Sequence, residues 1–261
     1  MRAIISFDVE SGLSPFYAPA IAGLDYYSET RSAAAGVGLP GGDFVNLAPG
    51  EGEKLTISLG EVSGGGAEAG CLISGLRGTL SGIAQHARGR LSAAVQALNK
   101  TICEVTPDDL YATLFYASLD PFSRELRYVS AGHQAALLVR RSPARVRHLE
   151  STGAVLGLTR RTEYRQRTIW LEPGDLLVAF SDGITEATNA KGREFGECGV
   201  LEAATRHTGA RAVSVARQIL EAADRHTGGA PACDDRTVAV VRFQGVSGLG
   251  DERYEEVFAA A

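Results

Sequence analysis

Short apolar runs that close on Gly, Pro and Asp turns fill most of this chain, and in two places they give way to helical spacing. That order, more than any single residue, limits the folds open to it. Leu24 to Ser28 reads as a first strand. Phe44 to Leu47 and Leu55 to Leu59 read as a hairpin around Pro49-Gly50-Glu51-Gly52, and the second run alternates apolar and polar as a half-buried strand does. From Ala67 the period changes. Cys71, Leu72, Leu76, Leu80 and Ile83 recur at helical spacing, then Leu91, Val95, Leu98 and Ile102, which predicts two helices with a break near Arg88-Gly89. Strands return at Ala112 to Leu119, Leu126 to Ser130, Ala135 to Arg140, Tyr164 to Leu171 and Leu176 to Phe180. Helices are expected at Gly199 to Thr205 and Ala212 to His226, and a Val-rich strand from Thr237 to Phe243 closes the pattern.

Strands joined by short turns favour antiparallel sheets. Two helix pairs need two sheet faces to cover. The expected fold is therefore α+β, a four-layer αββα sandwich of two antiparallel sheets flanked by helix pairs. The 261 residues, 44% of them hydrophobic, suit one generous domain. It is expected over residues 1–245, with 246–261, Gly-rich and then acidic, as a partly disordered tail. A net charge of −5 removes the electrostatic case for nucleic acid or an anionic membrane surface as partner. No apolar run reaches the roughly 18 residues of a membrane span. Met1 to Val9 carries Asp8, runs into Glu10 and shows no cleavage region, so no signal peptide is expected. Cys71, Cys103, Cys198 and Cys233 form no C-x-x-C pair and read as reduced thiols of a cytoplasmic protein.

Acidic residues stand where several of these apolar runs begin or end. Asp43 follows Gly41-Gly42, Glu61 follows Gly60, Asp182 ends Leu176 to Phe180 in Ser181-Asp182-Gly183, and Asp234 precedes the last strand. Any one of these is most simply a solvated turn former. Together they are a candidate site for hard divalent cations, which take carboxylate oxygens delivered from separate strand ends. Gly36 to Gly41 matches G-x-G-x-x-G but lacks the strand–turn–helix context that nucleotide binding needs. His133, between two strands, reads as a structural histidine bonded to a loop. No nucleophile elbow, P-loop or H-E-x-x-H is present.

Tyr111 to His133, Leu171 to Ala187, Gly192 to Gly196 and Asp234 to Val241 resemble the SpoIIE-like serine phosphatases, a bacterial branch of the metal-dependent (type 2C) protein phosphatases. The resemblance runs from about Leu24 to Phe243 and implies the same αββα sandwich, with two Mn2+ or Mg2+ ions at one end. It implies Asp43 on one metal, Glu61 bridging both with the Val62 carbonyl beside it, and Asp182 and Asp234 completing the ligand set of the second metal. Asp235 falls where relatives often carry Asn. Two ions roughly 3.5–4 Å apart would acidify a bridging water and neutralise phosphate, giving in-line hydrolysis without a phosphoenzyme. The implied substrate is phosphoserine on a regulatory protein, a STAS-type anti-sigma antagonist in a partner-switching stress pathway. Input from an upstream activator is expected at the helix pair Ala67 to Val105.

The family usually reads Gly-Asp-Val-Ser-Gly-His-Gly where this chain has Gly60-Glu-Val-Ser-Gly-Gly-Gly66. Glu61 adds about 1.5 Å of reach at the bridging position, and Gly65 removes a histidine, so reduced activity is expected. The stretch from Ser32 to Gly42 also departs from the family pattern, and Arg31 is the candidate phosphate arginine. Three functions are open at this point, in order of preference: a metal-dependent protein serine/threonine phosphatase, a catalytically weak phosphatase-fold protein that binds a phosphoprotein partner, and an enzyme acting on a small phosphorylated metabolite.

Overall fold

A computed structural model describes residues 20–33, 41–64, 66–86, 89–107, 109–140, 145–206 and 209–246. Met1 to Val9, most of the Gly36 to Gly41 motif, Gly65, Arg88 and nearly all of the C-terminal tail lie outside them. The strands are β1 (Leu24–Arg31), β2 (Asp43–Pro49), β3 (Leu55–Glu61), β4 (Leu114–Asp120), β5 (Glu125–Ala131), β6 (Ala136–Arg140), β7 (Arg145–Leu149), β8 (Arg167–Trp170), β9 (Leu176–Phe180) and β10 (Arg236–Phe243). The helices are α1 (Gly66–His86), α2 (Leu91–Val105), α3 (Asp182–Thr185), α4 (Gly196–Thr205) and α5 (Ala212–Thr227).

Two five-stranded sheets result, ordered β1-β10-β9-β6-β7 and β2-β3-β4-β5-β8, and all paired neighbours run antiparallel. Strand alternation sorts side chains into layers. Leu55, Ile57 and Leu59 of β3 meet Leu177 and Ala179 of β9 and Ala239 and Val241 of β10 between the sheets. The opposite face of the first sheet, with Val178, Phe180, Val238 and Val240, packs on Val215, Ala216, Ile219 and Leu220 of α5. The opposite face of the second, with Phe44, Leu114 and Tyr116, packs on Leu76 and Leu80 of α1 and Val95 and Leu98 of α2. The four-layer αββα sandwich expected from the order of elements is the observed architecture.

The α1–α2 break falls as expected, and Gly89 adopts φ +73° there. Two elements lack a strong apolar signal and are not visible in the sequence. β7 is an edge strand with only Leu149 buried, and α3 is a short turn after β9. The strand expected from Tyr164 is shorter, because residues 164–166 anchor loops instead. Arg165 donates its amide hydrogen to the Thr152 carbonyl, and Gln166 Oε1 accepts from the first amide of α2, at Leu91.

Candidate metal centre

The rows of residues between the two sheets end in polar groups at one edge of the sandwich. On β2 and β3 the inter-sheet rows that contain Leu47 and Leu59 end at Asp43 and Glu61, which are paired across the ladder. On the other sheet, Ser181 follows β9 and Thr237 opens β10. The Ser181 amide donates to the Thr237 carbonyl, and the Thr237 amide donates to Ser181 Oγ, both at 2.9 Å. This pairing fixes the two chain segments that carry Asp182 and Asp234. Ligand oxygens of Glu61, Asp182 and Asp234 consequently lie within 4.8 Å of one another.

Close approach to Asp235 constrains two glycines. A Cβ on Gly183 would stand 2.0 Å from the Asp235 carbonyl oxygen, and one on Gly41 would stand 1.5 Å from Asp235 Oδ2. Asp235 is buried and accepts from the Ala33 amide at 3.0 Å, so it braces the approach to β2. Asp43 is buried beside the trio, with its Oδ2 unpartnered. Val62 follows Glu61; its amide donates to the Gly42 carbonyl at 2.9 Å, and its own carbonyl oxygen lies 3.0 Å from where a Cβ on Gly42 would stand. Arg31, the candidate phosphate arginine, is engaged by Glu29 and Asp224. Asp224 also holds Arg236.

The electrostatics are those of like charges held together in partial burial. Burial pushes Asp43 up to about 7, against the Ser181 and Thr237 hydroxyls, which favour its charged form. Burial and the carboxylates of Asp182, Asp43 and Asp234 push Glu61 up to about 8. Burial likewise raises Asp234, with Asp182 and Asp235 adding to the shift. Asp182 Oδ1 is buried without a hydrogen-bond partner. Unpartnered buried carboxylate oxygens, grouped with like charges and with no lysine or arginine among them, fit a hard cation. The extra methylene of Glu61 leaves its carboxylate inside the trio.

Three supporting hydroxyls were not singled out by the sequence: Thr113, Ser181 and Thr237. Their only signal is a small polar residue at the end of an apolar run. Thr113 Oγ1 accepts from the Glu61 amide at 3.1 Å and lies 3.0 Å from His133 Nδ1. His133 Nε2 is 3.1 Å from the Phe180 carbonyl oxygen. Burial holds this histidine down at about 4, so it is neutral at physiological pH.

Comparison with known proteins agrees with this architecture. The family model described as Stage II sporulation protein E (SpoIIE) matches residues 51–244, more than half of the chain. The phosphoserine phosphatase RsbU of Bacillus subtilis is 28% identical over 140 residues, covering 54% of this chain and 42% of RsbU. The solved RsbU and RsbW domains of Rv1364c from Mycobacterium tuberculosis superpose with a TM-score of 0.73 at 27% identity, covering 88% of this chain and 62% of that one. The catalytic domain of the serine threonine protein phosphatase PstP, solved with two manganese ions, shares the fold at a TM-score of 0.60 and 17% identity, covering 84% of this chain and 98% of that one. The chain thus spans less than two thirds of the length of RsbU and of the Rv1364c structure.

Proposed function

The chain belongs to the SpoIIE family, and from that premise we propose that it is a metal-dependent protein serine/threonine phosphatase acting on phosphoserine of a regulatory protein. The observation that carries this reading is the convergence of Glu61, Asp182 and Asp234 within 4.8 Å at the sandwich edge. Asp43 is the fourth carboxylate, and the Val62 carbonyl is the backbone oxygen assigned to the same centre. Mn2+ or Mg2+, when bound, supplies neutralisation of phosphate charge and acidification of water.

The chain's own residues perform the positioning. Thr113 holds the backbone on which Glu61 is carried. The Ser181–Thr237 pairing keeps Asp182 and Asp234 at a fixed separation. Asp234 is the exposed member of the trio, so a phosphate approaches from its side. The apolar layer formed by Leu59, Ala179 and Ala239 closes the opposite side to water.

The name of RsbU, phosphoserine phosphatase, supports the choice of phosphoserine. The family resemblance supports a STAS-type protein as its bearer and a cytoplasmic partner-switching pathway as its setting. Among the described residues no helix is long and apolar enough to cross a membrane. A second reading, capture of a phosphoprotein without turnover, draws on the longer Glu61 at a position where the family carries Asp. Calorimetric titration with Mn2+ tests the choice: the phosphatase reading expects two ions bound in the micromolar range, and the binder reading expects weak metal binding with tight partner binding.

A further inference from the structure

His133 is buried and Thr113 half-buried, and among the described residues neither is hydrogen-bonded to a carboxylate oxygen of the cluster. Their bonds nevertheless begin and end next to two of the acids. Glu61 and Thr113 are tied twice: the Thr113 amide donates to the Glu61 carbonyl at 2.8 Å, and the Glu61 amide donates to Thr113 Oγ1 at 3.1 Å. From Thr113 Oγ1 the chain of bonds passes to His133 Nδ1 at 3.0 Å and from His133 Nε2 to the Phe180 carbonyl at 3.1 Å. Phe180 is the last residue of β9, and Asp182 stands two positions on.

The proton positions follow from the partners. The Phe180 carbonyl only accepts, so His133 Nε2 carries the hydrogen. In the neutral ring Nδ1 is then an acceptor, and the Thr113 hydroxyl donates to it. This leaves the lone pairs of Thr113 Oγ1 for the Glu61 amide. Each donor has one acceptor, and each link is within ordinary hydrogen-bond range. The path crosses from the sheet that contains β3 to the sheet that contains β9, so it measures the distance between the segments bearing Glu61 and Asp182.

We infer that Thr113 and His133 are positioning residues that set the separation of Glu61 and Asp182 across the two sheets, and thereby the affinity of the centre for its cations. The inference rests on the metal-site reading proposed above. Side chains beyond the ligands commonly orient metal-binding groups in this way, through hydrogen bonds to the ligand or its backbone. Gln134 Nε2 also donates to the Phe180 carbonyl, at 2.8 Å, so the β9 end is held even when the histidine link is cut. Removing that link is therefore expected to change the geometry of the acids more than the folding of the strand.

The test is calorimetric titration of the full chain with Mn2+, paired with thermal melts of the chelator-treated protein. Thr113→Val keeps the shape and removes the hydroxyl; His133→Gln keeps a donor for Phe180 and removes the acceptor for Thr113. Each is expected to weaken Mn2+ binding about 10- to 100-fold, Thr113→Ser is expected to stay within about threefold of the parent, and the double variant is expected to be no worse than either single one. If Thr113→Val fails to fold, His133→Gln carries the same comparison. Variants that melt earlier without metal but bind Mn2+ as tightly as the parent would overturn the inference and leave the two residues purely structural. A parent chain that binds no Mn2+ would instead overturn the metal-site reading, and the inference with it.

Discussion

Asp43 and Glu61 face each other across the β2–β3 ladder, two carboxylates on one face at the end of the inter-sheet core. The bond from the Val62 amide to the Gly42 carbonyl makes this a non-hydrogen-bonded pair, the type whose side chains stand closest. Like charges directly opposite one another weaken a sheet. The arrangement is unfavourable for a bare protein and favourable for one whose edge is closed by cations. It also explains why burial and neighbouring carboxylates together push Glu61 up to about 8.

Removing charge from Glu61 separates its electrostatic role from its shape. Glu61→Gln is expected to weaken Mn2+ binding by at least about 10-fold while raising the melting temperature of the metal-free protein, because the cost of protonating a carboxyl whose charge is disfavoured there is lost. Calorimetry and thermal melts read the two effects. Glu61→Asp, which restores the family residue, is expected to keep metal binding and to raise turnover; unchanged turnover would show that the longer side chain already sits correctly.

Gly183→Ala places a methyl carbon 2.0 Å from the Asp235 carbonyl oxygen, a backbone atom that cannot rotate away. The expected cost is about 1–3 kcal/mol of stability, as for other overpacked sites. Because the strain falls on the segment that carries Asp234, metal affinity should fall as well. A chemical denaturation curve with and without Mn2+ checks both. Gly192→Ala serves as the control, since a Cβ there meets nothing within 4 Å and only its positive φ is strained.

The metal-free protein should lose stability as pH rises from 6.5 to 8. Asp43 is pushed up to about 7 and Glu61 to about 8 in the folded state, so between their unfolded and folded values the native protein binds more protons than the unfolded chain. Stability then falls with rising pH. His133, lowered to about 4, acts in the opposite direction, but its contribution fades as pH rises past its unfolded value of 6.5, so the two carboxylates dominate the chosen window. Saturating Mn2+ should reverse the trend, because cations bind the deprotonated acids. Melts in chelator and in Mn2+ across this range provide the comparison.

Much of this was legible in the sequence, for reasons that vary by residue. Leu55 to Leu59 and Leu176 to Phe180 announce strands because one or both faces are buried, and the spacing of Leu76, Leu80, Val95 and Leu98 announces helices that lie on a sheet. β7 was silent because Arg145, Arg147 and His148 of this edge strand face solvent. Glu61 and Asp182 could be nominated because each stands next to glycine or serine at the end of an apolar run, and Asp234 because it precedes the closing Val-rich strand, yet only the pairing of strands distant in sequence brings them together. The ion pair of Arg31 with Asp224, which lies far along the chain on α5, could not be read because it has no local signature. The bonds through Thr113 and His133 were hidden for the same reason: they join residues from β3, the approach to β4, the β5–β6 loop and β9.

Phosphate release is the measurement that tests the account most directly. It is followed from a phosphoserine-loaded STAS-type protein and from an aryl phosphate, first in chelator and then in Mn2+, for the parent chain and for Asp182→Asn. The account predicts no release in chelator, restoration by Mn2+, and a loss of at least about 100-fold in Asp182→Asn, since an error of about 1 Å at such a centre already costs that much. Release that is equally fast in chelator, or none from either substrate by a chain shown to have bound its Mn2+, would contradict it.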